Sequence, residues 1–201
     1  GMICTTNPSD TFTLTAKDGT ISLPDGNVVY MWGYSAGDAP FQHPSPVLCV
    51  DEGDTVTVVL HNTLAEDVSI VFPGQENVLA NGVPSQPVVN GTGELTSLAP
   101  VAAASGGSVT YSFVANNPGT YIYESGTEPA KQINMGLYGA LVVRPSMNVY
   151  DPGTGELLEA YAYNDAGSRY KPGNEYLLVI SEIDPMLHVA VEQGYLYDMN
   201  N

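Results

Sequence analysis

Val56, Val58 and Leu60 alternate with Thr55, Thr57, Val59 and His61, the two-residue period of a half-buried strand. Ser108 to Ala115, SVTYSFVA, alternates in the same way, and so does TFTLTA at Thr11 to Ala16. Beyond TFTLTA come turn signals at Asp18-Gly19 and Asp25-Gly26, after which the chain resumes as NVVYMWGYS; the stretch predicts two or three strands of an antiparallel sheet. From Asn117 to Val143 a Pro-Gly turn precedes the β-favouring Tyr121, Ile122 and Tyr123, and the apolar run GLYGALVV follows a short loop, which predicts a strand, loop, strand corner. EYLLVISEID, Glu175 to Asp184, predicts one more apolar strand.

The segments between these strands read as connections. Gly37 to Pro46 carries three prolines and His43 and predicts a loop. Gln75 to Gly107 is small and polar without clear periodicity, and a connection this long is usually functional or mobile. After Arg144-Pro145 the turn pairs around Asp151-Pro152-Gly153 and Lys171-Pro172-Gly173 mark a linker or hairpin excursion. The organisation expected is a domain over residues 1–145, then 146–201 as that excursion and the first strand region of a truncated second domain.

Composition supports an all-β chain. Of 201 residues, 21 are Gly, 15 Pro and 13 Tyr, the make-up of short strands joined by tight turns. A chain of this length buries roughly 70% of its unfolded surface, so the core does not depend on disulfides. Twenty-two acidic against five basic residues leave a net charge of −17, which makes nucleic acid and anionic membranes poor partners. No run of 18 apolar residues exists to span a bilayer. Gly1-Met2 reads as the scar of an expression tag, and a removed signal peptide is compatible with the start.

Cys4 and Cys49 are too few for a disulfide scaffold and lack metal-ligand spacing; they are either one bridge, which would suit an oxidising, extracytoplasmic compartment, or two buried thiols. The sequon Asn90-Gly91-Thr92 decides nothing by itself. His43, His61 and His188 stand apart in the sequence and read as solvent-facing or structural residues.

Two blocks carry a resemblance. NPGTYIYESGTEPAKQINMGLYGALVV resembles the end of a cupredoxin domain in multicopper oxidases, where the pattern is GTYWYHSH, a spacer, then GLYGALVV. Pro46 to Gly74, PVLCVDEGDTVTVVLHNTLAEDVSIVFPG, is similar to the family's P-x-L-x-V-x-x-G-D-x-V-x-V-x-x-x-N-x-L block and the TSIHWHG motif after it. SVTYSFVA adds the family's S-x-T-Y-x-F element, so the likeness runs from about Thr11 to Pro145. It implies a cupredoxin-like Greek-key β-sandwich, with a C-terminal extension beginning a further β segment.

The family's chemistry does not transfer with the scaffold. Its four copper-binding histidines in this region fall on Val71, Pro73, Glu124 and Gly126, of which Glu124 alone carries a donor. A blue-copper centre would need two His and a Cys, usually with an axial Met, and neither Cys has a nearby downstream His. No nucleophile elbow, H-E-x-x-H or phosphate-binding Gly loop is present, and Asp51-Glu52-Asp54 lacks the spacing of a calcium loop. A hydrolase with a carboxylate pair invisible in sequence is the weakest reading. The expectation is an architectural N-terminal cupredoxin-like domain of a multicopper-oxidase-type oxidoreductase, a family that couples substrate oxidation to reduction of dioxygen to water. It has no catalytic or cofactor-binding residue of its own, copper enters only if a longer parent supplies ligands, and its partners are other cupredoxin domains of that parent or a homo-oligomer. A further domain would need about a hundred more residues, so the chain reads as a fragment or a short form. The competing reading is a copper-free extracellular binding or adhesion sandwich.

Overall fold

The computed structural model describes residues 4–198; the Gly1-Met2 reading falls outside them. In chain order the strands are β1 (Thr11–Ser22), β2 (Val28–Ala36), β3 (Leu48–Asp51), β4 (Thr55–Asn62), β5 (Leu79–Ala80), β6 (Val83–Pro84), β7 (Val88–Val89), β8 (Leu95–Ser97), β9 (Ser108–Val114) and β10 (Gly119–Glu124). Helix α1 (Pro129–Met135) follows, then β11 (Tyr138–Arg144), β12 (Val149–Tyr150), β13 (Leu157–Tyr161), β14 (Arg169–Tyr170) and helix α2 (Pro185–Gln193).

Alternation builds the core directly. A six-stranded sheet, β2-β1-β4-β9-β5-β6, turns Phe12, Leu14, Val56, Val58, Leu60, Val109, Tyr111 and Phe113 inward. A three-stranded sheet, β10-β11-β3, answers with Leu48, Val50, Tyr123, Leu141 and Val143. The two inner faces form one apolar cluster, the layer arrangement of a β-sandwich. Each sheet contains a parallel pair, β1 with β4 and β11 with β3, which demands crossover connections rather than hairpins alone. Cys4 is bonded to Cys49 with Cα atoms 5.5 Å apart, tying the N-terminal segment to β3.

Two sequence readings change and two gain detail. Asp18-Gly19 is no turn: β1 runs through it, and Gly19 is needed because a Cβ there would enter the Phe41 ring. The connection from Gln75 to Gly107, which shows no clear periodicity, contains the short strands β5, β6, β7 and β8. The excursion after Arg144-Pro145 takes the hairpin form, a small antiparallel sheet β12-β13-β14. Glu175 to Asp184 forms no ladder among the described residues, for Tyr176 to Ile183 make no backbone–backbone hydrogen bond with any of them and Leu178 and Ile180 are 83% and 90% exposed. Its apolar sequence has strand character, but no edge among the described residues receives it.

The region of the family copper positions

The segment Ser69 to Gly74 leaves the core beneath a set of buried tyrosines. Tyr34 donates its hydroxyl to the Ser69 carbonyl at 2.7 Å, and Ile70 N–H donates to the Tyr111 hydroxyl at 3.1 Å, while that hydroxyl donates to the Pro100 carbonyl. Tyr123 donates to the Pro46 carbonyl at 2.6 Å. Burial pushes all three phenols well above their ordinary range, so they act as neutral hydrogen-bond donors. Phe72 packs its ring against Tyr111, Phe113 and Tyr123, and this fixes which way its neighbours Val71 and Pro73 point.

The fold brings three of the four family copper positions together. Val71 and Glu124 form an antiparallel bridge, with Val71 N–H to Glu124 O at 2.8 Å and Glu124 N–H to Val71 O at 3.2 Å. Gly126 lies against the same valine: a Cβ at Gly126 would sit 2.8 Å from Val71 Cγ1, 3.1 Å from Ser69 Oγ and 3.2 Å from Leu98 Cβ. Pro73 is exposed on the bend into Gly74, a residue with φ +87° over which the Tyr121 ring packs. Burial raises the Glu124 carboxyl above its ordinary range.

This donor set does not fit copper. Val71, Pro73 and Gly126 offer no side-chain lone pair, and one hard carboxylate does not replace a cluster of imidazoles. Space agrees with chemistry, because Val71 Cγ1 occupies the volume a side chain at Gly126 would need. Among the described residues no group of three or more His, Cys, Asp or Glu converges on a point.

A hydroxyl cluster fills the neighbouring space. Ser69, Ser97 and Thr127 are buried, with oxygens 2.9 to 3.0 Å apart in all three pairs. Ser97 also donates to the Ala99 carbonyl at 2.7 Å, and Gly126 N–H donates to Ser69 Oγ at 3.2 Å. Three hydroxyls own three protons, and one goes to Ala99. Two remain for three oxygen pairs, so one pair is held together by its neighbours. Next to it Ser125 donates to Gln132 Oε1 at 2.6 Å, and Gln132, wholly buried on α1, donates to the Asp67 carbonyl at 2.9 Å. Sequence reasoning missed Ser69, Ser97, Thr127 and Gln132. Ser125 and Thr127 flank the Gly126 position, but only the fold reveals that Ser97, from the polar connection, reaches them.

The other candidates lie elsewhere. His61 is exposed on β4. His43 is not solvent-facing: it is half-buried, its ring edge-on to Tyr138 with centroids 5.5 Å apart. His188, on α2, is 1% exposed. The sequon residue Asn90 accepts from Thr92 and Glu94 within an exposed turn between β7 and β8.

A family model described as multicopper oxidase matches residues 16–148. An L-ascorbate oxidase of Cucurbita maxima is 35% identical over 112 residues, 55% of this chain and 17% of its own. The multicopper oxidase VdtB of Byssochlamys spectabilis is 29% identical over 146 residues, 71% of this chain and 19% of its own. Among solved structures, a multi-copper oxidase from Pseudomonas thermotolerans superposes with a TM-score of 0.56 at 23% identity, over 74% of this chain and 32% of that one. The chain therefore spans about a fifth of the length of the curated relatives it matches.

Proposed function

The chain belongs to the multicopper oxidase family, and on that premise we propose that it is an N-terminal cupredoxin-like domain whose own role is architectural. The domain covers residues 1–145, and 146–201 lead toward a further domain. In this reading the oxidase activity, in which substrate oxidation is coupled to reduction of dioxygen to water, belongs to a longer parent, and any copper is held by ligands from its other domains. The observation that carries the reading is the contact among Val71, Glu124 and Gly126: two segments meet where the family pairs its histidines, and they meet through a backbone bridge and a valine methyl. The partners are other cupredoxin domains of the same parent. No helix among the described residues is long and apolar enough to cross a membrane. The Cys4–Cys49 bond supports an extracytoplasmic setting. Nothing observed favours the adhesion alternative.

Metal analysis after dialysis against Cu(II), together with visible and electron-spin spectra, tests the reading. The expected result is no stoichiometric copper and no blue band; tight one-to-one copper would sink it.

A further inference from the structure

Two Asn-x-Ser/Thr triplets stand in the chain, Asn7-Pro8-Ser9 and Asn90-Gly91-Thr92. The fold gives both the same local turn. The amide and hydroxyl of Ser9 donate to Asn7 Oδ1 at 2.9 and 2.8 Å, and those of Thr92 donate to Asn90 Oδ1 at 3.0 and 2.7 Å. The middle residue separates them, because proline there excludes a triplet from asparagine-linked glycosylation and glycine does not. Asn90 is thus the acceptor that the sequence offers.

Its place in the fold suits that chemistry. Asn90 stands at the tip of the β7-β8 hairpin, where residues 89–96 are all exposed. The tip closes on itself: Asn90 N–H donates to the Glu94 carbonyl at 2.9 Å, Gly93 N–H to the Asn90 carbonyl at 3.0 Å, and Glu94 N–H to Asn90 Oδ1 at 3.0 Å. The acceptor nitrogen Nδ2 donates to Glu94 Oε2 at 2.8 Å, so the bonds that shape the tip lie within residues 90–94. A sugar on Nδ2 uses one of its two N–H groups and leaves the three donors to Oδ1 in place. The turn therefore accommodates the substituent without disturbing the core.

We propose that Asn90 is a glycosylation site, its Nδ2 taking an oligosaccharide from a lipid-diphosphate-linked donor. In the transfer the bond from the sugar's anomeric carbon to the diphosphate oxygen breaks and a bond from that carbon to Nδ2 forms. One amide proton leaves to base, and the lipid diphosphate departs. The proposal rests on the extracytoplasmic reading of the chain, since this transfer takes place across a membrane from the cytosol. The attached sugar stands beside Val89 and Leu95, exposed apolar residues of the same hairpin, and covers them with polar bulk. It also assigns the β7-β8 tip to solvent in a longer parent: an asparagine carrying an oligosaccharide does not fit inside a packed domain interface, so neighbouring domains dock on other faces.

Translation of the full chain behind a cleavable signal sequence, in the presence of microsomal membranes, tests the site. Removal of the signal sequence shows that the chain has entered the compartment where transfer occurs. The processed chain is expected to gain the mass of one oligosaccharide and to lose it to peptide-N-glycosidase, which converts the modified asparagine to aspartate. Asn90→Gln and Thr92→Ala should each abolish the gain, the first by removing the acceptor and the second by removing the hydroxyl that completes the triplet. A processed natural chain without sugar, sugar on Asn7, or sugar that survives Asn90→Gln would overturn the proposal. Failure of the compartment reading shows separately, as free Cys4 and Cys49 thiols and a bare Asn90 in the chain from its natural source while the microsomal product carries sugar.

Discussion

Gly126 shows what one residue settles in this fold. Its Cα faces Val71 Cγ1, Ser69 Oγ and Leu98 Cβ at distances where a methyl group does not fit. Gly126→Ala is therefore expected to destabilise the domain by about 1–3 kcal/mol through overpacking, read by chemical denaturation. Combining it with Val71→Ala should return part of that loss, a coupling of at least about 0.5 kcal/mol, since the closest of the three contacts is removed. Glu124 gives a prediction with a sign. Its folded-state pKa is raised by burial, so the stability its protonated form contributes is complete below the ordinary carboxylate range and is lost as pH rises through the raised value. Glu124→Gln should thus stabilise the domain at neutral pH and become neutral in effect below about pH 4. The sequence named Gly126 and Glu124 but hid the hydroxyls beside them, because Ser97 and Ser69 are 28 residues apart and nothing local marks two serines as neighbours.

At the scale of elements, legibility followed how locally each element is stabilised. β4 and β9 were readable because one face is buried and the other is not, so period two is written into both. β1 ran past its Asp-Gly signal because nine register pairs with β2 outweigh one weak turn pair, and the glycine serves Phe41 instead. Helices α1 and α2, of seven and nine residues, are too short to show a helical period, although each opens with Pro and ends at a Gly with positive φ. Glu175 to Asp184 failed as a strand for the converse reason: its pattern is right, but a strand exists only where another accepts its hydrogen bonds. The N-terminal attachment is covalent. Cys4 and Cys49 are 45 residues apart, a loop whose closure in the unfolded chain is worth about 4 kcal/mol, with about 2–4 usually measured. Cys4→Ser with Cys49→Ser should lower stability within that range, and reductant should do the same to the natural chain but leave the double variant unchanged.

The molecule as a whole carries 22 acidic and five basic residues, and four of its five cations are already committed. Lys131 lies between Glu66 and Glu128, Arg144 is held by Glu175, Arg169 pairs with Glu159, and Lys17 donates to the Ala39 carbonyl. Most carboxylates therefore repel one another through solvent with no counter-charge close by, a self-repulsion that the compact state feels more than the expanded chain does. Salt screens such repulsion once the separation exceeds the Debye length, about 30 Å at 0.01 M and about 10 Å at 0.1 M. Raising sodium chloride from about 0.01 to about 0.3 M should increase the unfolding free energy, most steeply below 0.1 M, because the exposed ion pairs that salt weakens are few and each is worth at most about 1 kcal/mol. A fall in stability over that range would mean that the four ion pairs outweigh the net charge. Urea denaturation at each salt concentration decides between them, since urea carries no charge of its own and leaves the screening to the salt.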